Sequence, residues 1–230
     1  EQTWIGEIVG IDANPPRRRL RRTVVHVVEP QQHGAIAQRI VDANPHVIIH
    51  LGVWEPDARL SSHDAQMHTQ AFAHSVFEAA LSVPALESVV LRSGIEVYGK
   101  NGHSPLIPNE HQSLEPQSLF GQMLLGLEHK VSELAIARGT TATLLRLAPV
   151  VGPHVPSPLG RMLRLPAVPF NPIGSARFSV IEDGDAAQAF VSATQHQPHG
   201  AVNVVADGSI SIAQAAAVGH RLAIPTIGPG

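Results

Sequence analysis

Glu96, Tyr98 and His103 place a carboxylate, a phenol and an imidazole within eight residues of chain. Such groups can give, take or relay a proton. They follow the apolar run that begins at Ser88-Val89-Val90-Leu91. That puts them beyond the end of a strand, where α/β sheets hold their active sites. The plainer alternative, which we favour, is that Tyr98 packs in the core and Glu96 meets solvent. Trp54, two residues after Gly52, could stack near a ligand, but filling core space accounts for it as well. The 14 histidines raise the question of a metal. His63, His68 and His74 are spaced by five and six, which does not bring all three to one helix face. No His-Glu-x-x-His or equivalent spacing occurs, so no metal site is expected. His50 lies in an apolar run and is expected to be a hydrogen-bonded core residue.

A chain of 230 residues can bury a substantial core, as one large domain or one domain with a small lobe. Hydrophobic residues make up 43% and charged residues 15%, a globular balance and not a disordered one. The formal net charge of -3 gives no global field that would draw nucleic acid or a membrane. The local run Arg17-Arg18-Arg19-Leu20-Arg21-Arg22 reads as a solvated loop. No apolar run approaches the roughly 20 residues of a membrane span. The N-terminal residues do not read as a signal peptide. Cysteine is absent, which removes disulfides, thiolate nucleophiles and cysteine metal sites. A cytoplasmic location is the expectation.

The elements that must position these residues alternate along the chain. Ile5–Ile11, Thr23–Val28 and Val47–Val53 read as strands, the last one buried, and another strand begins at Ser88–Leu91. Gly34–Ala43, Gln66–Leu81 and Phe120–Arg138 read as helices, followed by a strand over Thr141–Val151. Strands that are apolar on both faces and separated by helices imply a parallel sheet covered on both sides. Right-handed crossovers then give an α/β fold, a Rossmann-like doubly wound sheet. After Gly152 six prolines, from Pro153 to Pro172, punctuate about twenty residues and suggest a small, loop-rich substrate-binding lobe. Phe178–Ile181 and Ala201–Val205 read as strands and Gly184–Thr194 as a helix. A last helix is expected over Ser209–Leu222, with Ser211 as its N-cap. The expected division is a dinucleotide-binding core over 1–152 and a mixed region over 153–230 that supplies the lobe and returns to the core.

In this order the segments resemble the extended short-chain dehydrogenase/reductase family, the NAD-dependent nucleotide-sugar epimerases and dehydratases. Ile8-Val9-Gly10-Ile11-Asp12 is similar to the family's second strand. Its acidic end implies that Asp12 accepts from the adenosine ribose hydroxyls of NAD. Arg17 to Arg19 lie close enough in sequence to meet a 2′-phosphate, so NADP stays open. Glu29 follows the third strand, where the family's acid meets adenine. Leu51, Gly52 and Val53 follow the fourth, and Pro149 sits in Arg146-Leu147-Ala148-Pro149-Val150-Val151-Gly152-Pro153, similar to the sixth-strand motif. Those six residues are the expected cofactor set. Ser93-Gly94-Ile95-Glu96-Val97-Tyr98-Gly99 is similar to the family's Ser-Ser-x-x-Val-Tyr-Gly. Asp183-Gly184-Asp185 resembles its acidic helix start.

The chemical groups of that family are replaced. Its serine or threonine falls on Gly94, and Ser93, one residue earlier, points to the other face of a strand. Its Tyr-x-x-x-Lys pair falls on Phe120 and Leu124, four residues apart and on one helix face. Neither can move a proton or lower a phenol pKa. Thr69 stands where the helix asparagine is usual. No glycine-rich turn for the pyrophosphate precedes Ile8, and the expectation is that the sequence is a piece of a longer chain. The expected function is that of a divergent member that binds NAD or a nucleotide-sugar-like molecule without the usual catalysis. The alternatives are an active epimerase/dehydratase that uses Glu96, Tyr98 or His103, and a cofactor-free interaction module. A homodimer through a four-helix bundle of the two long helices is also implied, with Phe72, Phe77, Leu124 and Leu125 either in the contact or on the sheet.

Overall fold

The computed structural model describes residues 3–16, 20–55, 60–99, 108–153, 155, 158–172 and 177–226. His103 and Arg17–Arg19 lie outside these. The chain divides into two compact units, one of residues 1–92 with 126–142, the other of 93–125 with 143–230.

In the first unit β1 (Ile8–Asp12) and β2 (Thr23–Val27) pair in parallel, from Ile8 opposite Thr23 to Asp12 opposite Val27. Asp12 ends β1, and its Oδ1 accepts the Asn14 N–H at 2.8 Å, which turns the chain. Helix α1 (His33–Ala43) buries Ile36 and Ile40 and stops at Asn44, whose φ of 41° is left-handed. β3 (Val47–His50) pairs in parallel with β4 (Ser88–Gly94), and Thr141, which opens β5 (Thr141–Leu147), donates to Glu87 O at 2.9 Å. β5 therefore starts beside β4.

Helix α2 (Ser62–Ala80) begins four residues before its apolar periodicity, because Ser61 accepts the Asp64 N–H at 3.1 Å. It packs on α1 and buries Ala65, Thr69, Phe72, Ala73, Val76, Phe77 and Ala80. This spacing is the core stripe of an amphipathic helix. Phe72 and Phe77 are thus inside the fold. The strand expected over Val47–Val53 is shorter and less buried. It ends at His50, and Ile49 and Leu51 are 42% and 56% exposed. The Val53 N–H donates to Leu51 O at 2.7 Å, a tight turn that ends pairing.

The second unit holds the rest of β4, a 3-10 turn over Ile95–Tyr98, and the first turns of α3 (Leu119–Arg138). β5 pairs in parallel with β10 (Gly200–Val204). β6 (Val150–Val151) pairs in parallel with β9 (Ile181–Glu182), and β7 (Ala167–Phe170) with β12 (Leu222–Pro225). β8 (Arg177–Phe178) and β11 (Ile210–Ser211) pair antiparallel. A short helix, α4 (Pro158–Leu163), lies in the proline-rich stretch. α5 (Asp183–His196) is capped by the Glu182 carboxylate on the Gly184 and Asp185 amides. α6 (Ile212–Val218) starts with Ser211 and Gln214 in a reciprocal capping box. The helix expected over Ser209–Leu222 therefore ends four residues early. Gly219 and left-handed His220 (φ 53°) break it, and Leu222 begins β12.

Candidate functional site

Gly94 is buried at the end of β4 and lacks the side chain that acid–base chemistry would need there. A Cβ built on Gly94 would collide with Glu96 Oε2 and stand 3.1 Å from Leu124 Cδ1. The Glu96 carboxylate and the Leu124 methyl thus fill the space that a serine or threonine side chain would take. Leu124 is 1% exposed, and Phe120, one helical turn earlier on the same face, is half-buried. Glu96 is half-buried and folds back over Gly94, where the sequence suggested a solvent-facing residue. The result is a carboxylate above a glycine, beside an apolar wall.

Geometry in this region is fixed by backbone contacts. Gly99 adopts a φ of 71°, and a Cβ there would strike the Glu115 carbonyl oxygen. Only glycine fits both demands. The turn is also held through Tyr98, which is 3% exposed. Its hydroxyl donates to Asn203 Oδ1 at 2.8 Å and accepts from Arg146 Nη1 at 2.8 Å. The Arg146 guanidinium carbon lies 5.0 Å from the Tyr98 ring centroid. Tyr98 is a core residue with its hydroxyl engaged on both sides. Asn203 also donates from Nδ2 to Pro108 O at 2.7 Å, and its backbone N–H meets Glu110 Oε1 at 2.8 Å. That N–H holds the Glu110 carboxyl below the usual carboxylate range.

In the first unit the expected cofactor residues stand at or just past strand ends. Asp12 closes β1, exposed; Glu29 is exposed two residues after β2, where its N–H donates to Gln32 Oε1 at 3.1 Å. Leu51, Gly52 and Val53 follow β3 directly. Gly52 has a packing reason of its own, since a Cβ there would lie 2.5 Å and 2.8 Å from two Phe72 ring atoms. Trp54 meets Phe72 and His68 edge-on, with centroids 5.7 and 6.0 Å apart. The Trp54 backbone N–H donates to Thr69 Oγ1 at 3.0 Å, while that hydroxyl donates to Ala65 O at 2.8 Å. Thr69 therefore anchors the loop. Arg92 closes it from the other side, donating to Val53 O at 3.4 Å and pairing with Glu55 at 2.5 Å. Pro149, in the second unit, is half-buried, and its carbonyl accepts the Ile181 N–H at 3.2 Å.

His50 differs from its expected character. It is 2% exposed, 5.8 Å from the Phe72 ring centroid and 5.0 Å from that of Phe77, and neither ring nitrogen has a hydrogen-bond partner. Burial, with a smaller push from Arg92, lowers its pKa to about 4, so it is neutral near pH 7. Among the described residues no group of three His, Asp or Glu side chains is placed to hold a metal ion. No helix among them is long and apolar enough to cross a membrane. Arg92, Glu110, Arg146 and Asn203 were not singled out by sequence reasoning. The one local signal was a polar residue inside an apolar strand, as Arg146 is in β5 and Asn203 in β10.

Residues 4–206 match the family model described as the NAD dependent epimerase/dehydratase family. An uncharacterized protein of Mycobacterium tuberculosis is 29% identical over 234 aligned residues, which cover 98% of this chain. The match spans 62% of the length of that curated relative. The UDP-glucose 4-epimerase of Thermotoga maritima, solved with UDP-glucose, superposes with a TM-score of 0.77 at 17% identity, covering 95% of this chain and 78% of that one. The Thermus thermophilus UDP-glucose 4-epimerase, solved with NAD, gives 0.78 at 16% identity, covering 96% and 78%. These likenesses establish the Rossmann-like fold.

Proposed function

The chain belongs to the NAD dependent epimerase/dehydratase family, and we propose that it binds NAD or a nucleotide-sugar-like molecule without that family's usual catalysis. One observation carries this reading: the space at Gly94 is filled by the Glu96 carboxylate and Leu124, with Phe120 one turn away on the Leu124 face. No hydroxyl, phenol or ammonium stands at the three positions where the resemblance implies them. Such groups act as a unit, and a single general acid or base contributes about 10²–10⁴-fold in rate.

The residues present fit a dinucleotide in part. Asp12 is an exposed carboxylate at a strand end and would accept from ribose hydroxyls. Glu29 would meet the adenine side, the Leu51–Val53 backbone would line the cofactor, and NADP is the variant to compare. When bound, NAD supplies a hydride acceptor; the chain's own residues bind and orient. A cytoplasmic regulatory role, as a homodimer paired through α2 and α3, belongs to the same proposal.

The test is thermal unfolding with NAD, NADP and UDP-glucose added separately. A ligand at a hundredfold excess over its Kd stabilises the native state by about 2.7 kcal/mol. A rise with NAD or UDP-glucose supports the reading. No rise with any of the three at millimolar concentration favours a cofactor-free interaction module. A second reading draws on the carboxylate over Gly94: Glu96 would serve as a displaced base in an active enzyme. Product formation that is lost in Glu96→Gln would favour it.

A further inference from the structure

Asn203 uses its side-chain oxygen, its side-chain nitrogen and its backbone N–H on three different residues. Its Oδ1 takes the Tyr98 hydroxyl, its Nδ2 reaches Pro108 O, and its backbone N–H reaches Glu110. Tyr98 and Pro108 are ten residues apart in sequence, yet both end on this one amide. We infer that Asn203 is a positioning residue that fastens two separate arms to β10. One arm is the 3-10 turn carrying Glu96, held through Tyr98. The other is the segment from Pro108 to Glu110. The inference rests on the reading that the surroundings of Glu96 form the site.

The amide is suited to this work because it is donor and acceptor at once. An acceptor alone would satisfy Tyr98 and leave the Pro108 carbonyl unpaired. Arg146, 4% exposed, adds to the first arm by donating to the same Tyr98 oxygen. A charge-assisted bond is stronger than a neutral one and polarises the hydroxyl toward Asn203. The second arm has a charge-assisted bond of its own, from the Asn203 N–H to the Glu110 carboxylate. The arms therefore use different atoms and can be cut one at a time.

Each arm has a backbone reporter. In the turn, Gly99 N–H bonds to Glu96 O at 3.2 Å; in the other segment, Gln112 N–H bonds to Asn109 O at 3.1 Å. Amide hydrogen exchange of the wild-type chain and its variants reads both. Tyr98→Phe removes only the first arm, and the expected result is about tenfold faster exchange at Gly99 with Gln112 unchanged. Asn203→Asp keeps the acceptor for Tyr98 beside Arg146, loses the donor to Pro108 and sets a second carboxylate near Glu110. The expected result is the reverse pattern. If Asn203→Asp does not fold, Glu110→Gln weakens the second arm alone, with Gln112 faster and Gly99 unchanged. The carboxyl carbon shift of Glu96 is followed in the same samples. Tyr98→Phe is expected to move it and Glu110→Gln to leave it in place. Equal loosening of both reporters by either variant, or an unmoved Glu96 signal in Tyr98→Phe, overturns the inference. None of these readouts needs a ligand, so a wild type that binds none of NAD, NADP and UDP-glucose would refute the proposed function and leave this test intact.

Discussion

Two segments leave the C-terminal ends of parallel strands, residues 51–55 after β3 and residues 94–99 through the end of β4, and they are secured in opposite ways. The first is held by volume. Phe72 fills the space over Gly52, Trp54 lies against Phe72 and His68, and the half-exposed Arg92–Glu55 pair closes the loop. The second is held by buried polar bonds through Tyr98, Arg146 and Asn203, and by a left-handed glycine against a backbone oxygen. Apolar packing yields gradually when a volume changes, whereas a buried polar network fails when one partner is left unpaired. The second segment begins at Gly94, where the Glu96 carboxylate and Leu124 fill the space of a side chain, so a rigid frame surrounds that carboxylate.

The contrast is sharpest at the glycines. Gly99→Ala must hold a left-handed φ and meet the Glu115 carbonyl, and should cost about 3 kcal/mol or more in urea unfolding. A loss below about 1 kcal/mol would mean that the turn is not rigid. Acid is a probe of the first segment. His50 has a pKa of about 4 in the fold and about 6.5 when unfolded, so the unfolded chain binds more protons between those values. Stability at neutral pH should therefore fall by about 3 kcal/mol as pH drops from 6.5 to 4, and His50→Phe should remove that part of the slope.

Gly52→Ala presses only on a side-chain ring and should cost about 1–3 kcal/mol, less than Gly99→Ala. Equal losses would erase the distinction between the two segments. The smallest effect is a coupling. Gly94→Ser and Glu96→Ala together should be more stable than the sum of the singles by about 1 kcal/mol, because removing the carboxylate makes room for the new side chain. Strict additivity would mean that Glu96 does not occupy that space.

Much of the fold was legible because periodicity reports burial. The stripe along α2, the Ser211 cap and the acidic end of β1 at Asp12 all follow from local sequence. The failures are local as well. Pro166 and Pro169 suppress a strand reading, yet β7 accommodates Pro169 by pairing only with β12 among the described strands. The alanine-rich run after Ser211 reads on to Leu222, but the backbone reverses at His220. At the site, the apolar character of Gly94, Phe120 and Leu124 could be read one by one. What fills the space over Gly94 could not, because it depends on a side-chain rotation. The clamp at Asn203 lies 105 residues from Tyr98, and no periodicity carries a contact of that range.

We propose that this frame does not carry out the family's proton chemistry. The direct measurement is turnover of UDP-glucose by the purified protein with NAD, followed by product analysis. The expected result is no product above the protein-free control, and none restored by Glu96→Ala. Conversion at an ordinary rate of about 1–10³ per second, abolished by Glu96→Gln, would contradict it.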